Sequence, residues 1–412
     1  MDLAWLSLGA LLVAIVVSCF TELNVGVLSL AFAWIIGVYF AGFSFGEIVG
    51  GFPTQIFLTL AGVTLLFSQA HLNGTLDNLT QRAVRLCRGN VGALPIMFFA
   101  LTSLLAAIGP GNISSAALVA PLGMSVAGKA GVPPFLMALM VGNGASSGSL
   151  SPFAPTGIIV SGVMTRIGMP GHEFYVYWTS LVLHTAIAVG AYFLFGGWRL
   201  FKLGSSTAAQ DVAPARLTVH HWVTLAVIAT LISSVMILNV NVGMAAFTGA
   251  VLLALFKIAD HREAMKRMPW SVIMLVSGVT VLIALVEKTQ GMELFTAFVA
   301  RFATRDSITG VIAFVTGLVS VYSSTSGVVL PAFLPTIPGL VERLGGGDPL
   351  AIAASMSVAS HLVDVSPLST IGALCMAALP PTEDSRALFN KLLAWGLSMS
   401  VVGAIACYLM FS

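Results

Sequence analysis

Apolar residues come in runs of the length a bilayer demands, punctuated by short polar or glycine-rich stretches. A hydrocarbon core asks for roughly 20 apolar residues per helix. By that measure span 1 covers about Leu3–Phe20 and span 2 about Val25–Gly42. Pro53 opens span 3, which ends near Ala70; proline in a first helical turn loses no needed hydrogen bond. Leu72–Asn90 breaks the pattern. Arg82, Arg85 and Arg88 recur every third residue there, with Leu79, Ala83 and Leu86 on another face. That spacing predicts an amphipathic helix along the membrane surface, with a plain polar loop as the alternative.

Val91–Ile108 is apolar, Gly109-Pro110-Gly111-Asn112 interrupts it, and Ile113–Ala127 resumes. The second arm is short for a full crossing, so the pattern predicts a re-entrant hairpin over about 91–128 with its tip at Gly109–Ser114. Span 4 is built from Pro133–Leu150 and Ser151–Thr165. Its stretch Val141–Pro152 carries glycines, hydroxyls, an amide and a proline inside an apolar run. Lipid cannot hydrogen-bond to backbone, so unwound chain at that depth must face protein or a water-filled cavity. Span 5 is about Phe174–Phe195, and a polar linker, 199–220, follows.

The remainder repeats the plan. Span 6 is Trp222–Leu238 and span 7 Val242–Phe256; Pro269 opens span 8, which ends near Val286. Gly291–Arg305 is a second surface helix. Ser307–Val321 and Val328–Leu344 form a second hairpin, about 307–344, around Tyr322-Ser323-Ser324-Thr325-Ser326-Gly327. Span 9 is broken at His361–Pro367, and span 10 is Leu388–Phe411. Letters repeat as well as order. Asn24-Val25-Gly26 returns as Asn241-Val242-Gly243 at an offset of 217. Pro53 returns as Pro269 and Gly62-Val63-Thr64 as Gly278-Val279-Thr280, both at 216; Ser151-Pro152 returns as Ser366-Pro367 at 215.

The expected architecture is therefore an all-α polytopic membrane protein of about 10 transmembrane helices. Residues 1–198 form one repeat and 221–412 the other. Each holds five crossings and a hairpin that enters and leaves on one side. Five is odd, so the second half inserts upside down, the inverted-repeat plan of secondary transporters. Lys and Arg set the orientation. Thirteen of the 18 fall on the side of the linker and five on the other. The linker side is expected to be cytoplasmic, with both termini outside.

Composition agrees. Of 412 residues, 58% are hydrophobic and only 8% charged, and mean hydropathy is +0.99; a soluble protein carries about 25% charge. The net charge of +2 says little about partners, and no nucleic-acid partner is expected. Cys19, Cys87, Cys375 and Cys407 are scattered, with no metal spacing, and read as small core residues. No basic segment precedes span 1, which reads as a membrane span rather than a cleaved signal. Rossmann, Walker and zinc motifs are absent, and no cofactor is expected.

The tips and breaks are expected to converge near the bilayer midplane. Half-helix N-termini favour an anion, and unwound carbonyls and hydroxyls suit a hard cation such as Na⁺. No Lys or Arg lies within either tip or break, so neutralisation is expected from dipoles, hydroxyls and bound cations. His361 and Asp364, three apart, are candidate proton carriers or, for Asp364, a cation ligand; the bland alternative is a buried pair bracing the break. His184 in span 5 reads as a packing histidine. Glu22, Glu47 and Glu287 fall at span ends and read as solvated.

Gly142–Ile158, reading GNGASSGSLSPFAPTGI, is similar to the malonate/C4-dicarboxylate carrier (MatC-like) branch of the ion transporter superfamily. That superfamily includes the divalent anion/sodium symporters. Those relatives carry Ser-Asn-Thr at both hairpin tips; here Gly111-Asn112-Ile113 and Ser324-Thr325-Ser326 stand in those places. The resemblance implies a Na⁺- or H⁺-coupled carrier of a small dicarboxylate, an elevator motion and a homodimer in a bacterial inner membrane. It implies substrate contacts at Asn112, Ile113, Ser114, Ser149, Ser151, Ser324, Thr325, Ser326, Ser366 and Pro367. Cation contacts are implied at Gly111, Asn112, Ser147, Gly148, Thr325, Asp364 and Val365. Rival readings are a Na⁺/H⁺ antiporter, an arsenite or citrate carrier, or a channel. An intramembrane serine protease using Ser326 and His361 is remote, because such chemistry needs no duplicated halves. An enzyme is not expected.

Overall fold

The computed structural model describes residues 2–20, 23–86, 90–203, 216–238, 240–321 and 323–411. Cys87, Arg88, Glu22, Tyr322 and positions 204–215 of the expected linker lie outside the described residues, as does the side chain of Cys19. All regular structure among the described residues is helical. The first half contains α1 (Leu3–Phe20), α2 (Val25–Ile35, continued by a π-turn Ile36–Phe40), α3 (Phe45–Val49), α4 (Thr54–Leu72) and α5 (Thr75–Leu86). Then come α6 (Ala93–Ile108), α7 (Gly111–Ala130), α8 (Pro134–Gly148), α9 (Pro155–Arg166) and α10 (Glu173–Leu194). The second half contains α11 (Val219–Leu238), α12 (Val242–Leu255), α13 (His261–Lys266), α14 (Trp270–Lys288) and α15 (Gly291–Val299). It continues with α16 (Ile308–Ser320), a π-turn Thr325–Val329, α17 (Leu330–Phe333), α18 (Ile337–Arg343), α19 (Pro349–Leu362), α20 (Thr370–Ala377) and α21 (Ser385–Phe411). Seven apolar stretches are at least 18 residues long, enough to cross a bilayer, and six shorter apolar helices accompany them. The chain is an integral membrane protein.

Local chemistry explains where these helices start. Asn24 accepts hydrogen bonds from Gly26 N and Val27 N at the head of α2, and Asn241 accepts from Met244 N at the head of α12. Such caps satisfy orphan donors of the first turn. Pro53 and Pro269 precede α4 and α14 with nearly the same backbone angles, φ −80 and ψ 68 against φ −76 and ψ 63. Ser44 and Glu47 form a reciprocal capping box on α3. Helix α5 buries Leu76 and Val84 while leaving Leu86 exposed, and Arg82 Nε donates to Asn78 Oδ1 at 2.7 Å.

Two helix crossings tie the halves together. Helix α2 packs along α14, and α4 along α12. Both crossings are glycine on glycine. A Cβ on Gly278 would lie 2.0 Å from Gly26 O, and one on Gly62 would lie 2.4 Å from Gly243 O. Without such side chains the backbones meet directly, and dispersion contact between small residues is what holds helices together where no hydrophobic drive separates protein from lipid. The packing is reciprocal: the second span of each half meets the third span of the other.

The glycine-rich run of span 4 differs from its expected form. Helix α8 continues unbroken through Gly142-Asn143-Gly144 to Gly148, and only the six residues 149–154 leave the helix. The glycines serve packing. A Cβ on Gly144 would lie 2.5 Å from Phe99 O, and one on Gly148 would lie 2.2 Å from Ser103 O, so α8 sits directly on α6.

Candidate functional site

The two breaks have one backbone design. In the first, Ser149 N donates to Ser146 O (3.2 Å), Ser151 N to Gly148 O (3.2 Å) and Ala154 N to Ser151 O (2.9 Å), while Gly157 N reaches across the break to Ser149 O (3.1 Å). In the second, Asp364 N donates to His361 O (3.1 Å), Ser366 N to Val363 O (2.8 Å) and Ser369 N to Ser366 O (3.0 Å), with Gly372 N on Asp364 O (3.2 Å). Even the side-chain turn repeats: Ser151 Oγ accepts from Phe153 N and Ser366 Oγ from Leu368 N. Glycine is required at the crossing point, because a Cβ on Gly157 or Gly372 would fall 1.9 or 2.0 Å from the carbonyl of Ser151 or Ser366. The design pairs several backbone groups inside each break with partners in the break itself. It also places Ser149 and Asp364 at equivalent positions, one neutral and one acidic.

The first hairpin turns at Gly109, whose φ is +146, and Gly111, whose φ is +77. A side chain at Gly109 would strike the Phe67 ring of α4, and one at Gly111 would lie 2.8 Å from Pro155 Cδ. The tip is therefore held against the start of α9, just past the first break. Asn112 is buried, and its Oδ1 accepts from Ile113 N at 3.0 Å. Ser114 is exposed on the second arm and Ile113 half-buried. Ser147 Oγ donates to Gly144 O at 2.7 Å and lies 2.8 Å from Ser103 Oγ, bracing α8 to α6. Ser149 Oγ donates to Ser146 O at 2.7 Å.

The second tip grips the second break directly. Ser324 Oγ accepts from Gly327 N at 3.1 Å and starts the π-turn. Thr325 Oγ1 lies 2.6 Å from Asp364 Oδ1, 3.1 Å from Ser360 O and in contact with Ser320 Oγ. Ser369 Oγ donates to Asp364 O at 2.9 Å and approaches Oδ1 at 3.4 Å. All five groups are buried. One hydroxyl hydrogen on Thr325 cannot serve both acceptors beside it, so this is a cluster with more acceptor oxygens than donors. An oxygen-only donor set containing a carboxylate suits a hard cation, and equally a proton on Asp364. Ser326 is buried beside it. Val365, Ser366 and Pro367 are packed away: Val365 faces Gly142, and Ser366 faces Gly396 of α21.

His361 stands apart from Asp364. Its Nδ1 donates to Ser357 O at 2.6 Å, and among the described contacts the ring makes no hydrogen bond to the Asp364 carboxyl; the two residues meet only through the backbone bond from Asp364 N to His361 O. His184 is anchored the same way, Nδ1 to Ser180 O at 2.9 Å. Glu287, expected to be solvated, is paired across the halves with Arg166 at 2.9 Å, both side chains about one-third exposed.

Helix α9 joins the two hairpins: it abuts the first tip at Pro155 and packs against α17 on the second arm of the other hairpin. Cavities flank this region. One of about 220 Å³ runs between the first hairpin (Gly109, Pro110, Ser114) and α4 (Thr64, Ser68, His71), and Arg267 also lines it. Another of about 130 Å³ lies between Gln55, Thr59, Pro152, Ser161 and Asn241. Sequence reasoning missed Arg267, which lines the cavity beside the first tip from the α13–α14 corner. It also missed Ser320, Ser360 and Ser369 as companions of Asp364. A serine five residues after a membrane aspartate, in a Ser-Pro-x-Ser turn, is the signal that was available for Ser369.

The overall fold is similar to two solved transporter structures. The YdaH transporter of Alcanivorax borkumensis aligns with a TM-score of 0.55 and 16% identity, over 88% of this chain and 86% of its own. MtrF of Neisseria gonorrhoeae, described among antimetabolite efflux pumps, aligns with a TM-score of 0.57 and 14% identity, over 91% of this chain and 83% of its own. At such identities the likeness is one of fold. No curated protein matches the chain. Over residues 1–149 the chain matches the family model described as the N-terminus of the dicarboxylate carrier protein MatC.

Proposed function

We propose that the chain is a secondary active transporter for a small dicarboxylate, malonate or a C4 acid, driven by Na⁺ or H⁺. The observation that carries this reading is the pair of matched breaks, each held by a hairpin tip, with a carboxylate under one tip and none under the other. Two short unwound segments inside apolar runs pair several of their backbone groups within protein, which supports reading them as the broken helices of an inverted-repeat carrier. In this reading the glycine crossings of α2 with α14 and α4 with α12 mark a two-fold relation between oppositely inserted halves. Asn112, Ser149 and the α7 N-terminus meet the substrate from one half; Ser324, Thr325 and Ser326 meet it from the other. Asp364 with Thr325, Ser360 and Ser369 holds the coupling cation or proton.

The hairpins and broken helices move as one body in an elevator motion, against arms that include α5 and α15, and the chain works as a homodimer. Both termini face outside, and the region joining α10 to α11 faces the cytoplasm. The family match over residues 1–149 supports the substrate class. The test is uptake of labelled malonate, succinate and citrate into proteoliposomes, with Na⁺ and pH gradients imposed in turn. Gradient-driven, saturable uptake of a dicarboxylate supports the reading; flux that is non-saturable and indifferent to both gradients contradicts it.

A further inference from the structure

Arg267 brings a positive charge to the cavity beside a hairpin tip that has none of its own. The cavity beside the first tip has the hairpin as one wall and α4 as the other, and Arg267 lines it together with Ser68, His71 and Ser114. The Arg267 side chain is 52% exposed, so it meets solvent and cavity at once. Its backbone is fixed at a tight corner. Arg267 N donates to Glu263 O and Ala264 O, Trp270 Nε1 donates to Met265 O at 2.9 Å, and Asp260 caps α13. Glu263 Oε1 holds the guanidinium Nε at 3.2 Å. Glu263 also takes Lys266, at 3.4 Å, so this one carboxylate is shared by two cations. The two terminal guanidinium nitrogens have no protein partner among the described contacts, and they are the pair that grips a carboxylate in a bidentate fashion.

The other half lacks this device. Pro53 corresponds to Pro269, so the position matching Arg267 is Gly51, against which Ala284 packs. The corner around Ile48, Ala284 and Leu285 encloses a cavity of only about 10 Å³, which Glu47 and Lys288 also line and no residue of the second hairpin does.

We infer that the cavity lined by Arg267 is an anion-attracting vestibule through which a small carboxylate dianion reaches the first hairpin tip. The inference builds on the dicarboxylate reading above, with Arg267 as a positioning residue that concentrates the anion at Ser114 and the start of α7. Low-dielectric walls around one sign of charge raise the local concentration of the opposite sign.

The test uses full-length protein with Ser114→Cys in a Cys19→Ser, Cys87→Ser background; Cys375 and Cys407 are buried. Modification rates are measured with an anionic sulfonatoethyl and a cationic trimethylammonioethyl methanethiosulfonate. Across roughly 8 Å of partly wet cavity, one unit charge changes the anionic-to-cationic rate ratio by roughly ten-fold at low salt. Arg267→Gln is expected to lower the ratio by that factor, Arg267→Lys to retain most of it, and high salt to shrink the difference. An unchanged ratio in Arg267→Gln, or no modification of Ser114→Cys by either reagent, overturns the inference. Because labelling needs no transport, a protein that carries no dicarboxylate but keeps the charge effect would sink the transport reading alone. Where uptake is present, Arg267→Gln is expected to raise KM for entry from the Arg267 side and leave the opposite side unchanged; equal effects on both sides would contradict the vestibule.

Discussion

Thr325→Val removes one hydroxyl and keeps the side-chain shape. In the structure that hydroxyl lies 2.6 Å from Asp364 Oδ1 and 3.1 Å from Ser360 O. The remaining hydroxyl on the Asp364 carboxyl is that of Ser369, at 3.4 Å. A hydrogen bond to a charged group contributes about 1.5–3 kcal/mol. The half-saturating concentration of the coupling cation is therefore expected to rise roughly 10- to 100-fold, since each 1.4 kcal/mol is about a factor of ten. The assay is the initial rate of dicarboxylate uptake into proteoliposomes, titrated with Na⁺ and separately with pH. Thr325→Ser keeps the hydroxyl and serves as the control, with cation dependence close to wild type. If Thr325→Val transports with the wild-type cation dependence, the hydroxyl is not part of the cation site and the reasoning from this cluster fails.

Other consequences are equally direct. Asp364→Asn keeps the oxygen that faces Thr325 but removes the charge, so uptake is expected to lose most of its cation dependence; an unaltered dependence makes Asp364 a structural brace. Gly62→Ala puts a methyl 2.4 Å from Gly243 O, a backbone atom that cannot swing away; overpacking of this kind costs about 1–3 kcal/mol, and the melting temperature in detergent is expected to fall. An unchanged melting temperature would mean the crossing is loose. Glu47 is held below the ordinary carboxylate range by the Ser44 hydroxyl and then by Ser44 N–H. A lowered folded value means that the α3 cap is complete above the unfolded value and is lost as pH falls through the folded one. Amide-exchange protection of α3 is expected to fall only in that acidic window, and a pH-independent profile would refute it.

Much of this architecture can be read in the letters, and the reasons are physical. Span lengths follow from bilayer thickness; Asn24 and Asn241 mark helix starts through local side-chain caps, and Pro53 and Pro269 through a fixed φ and a missing N–H. The recurrence of Ser151-Pro152 as Ser366-Pro367 marks where the breaks fall. What the letters hide is whether a glycine unwinds a helix or lets another approach it. Gly144 and Gly148 look like breakers, yet they stay helical, and their missing side chains leave room for the Phe99 and Ser103 carbonyls of α6. Arg267 is hidden for a different reason. It lies more than 150 residues from the first tip along the chain, and only the packing of α4 beside the α13–α14 corner brings the two to one cavity. His361 and Asp364 appear as a pair by spacing alone, but the helix ends between them and gives each its own partners.

The most direct test of the central claim is gradient-driven uptake of labelled malonate and succinate into proteoliposomes, with wild type beside Asn112→Ala. The account predicts saturable accumulation against a concentration gradient when an inward Na⁺ or H⁺ gradient is imposed, and its loss in Asn112→Ala at normal yield and monodispersity. Normal accumulation by Asn112→Ala, or passive equilibration by wild type whatever gradient is applied, would contradict it.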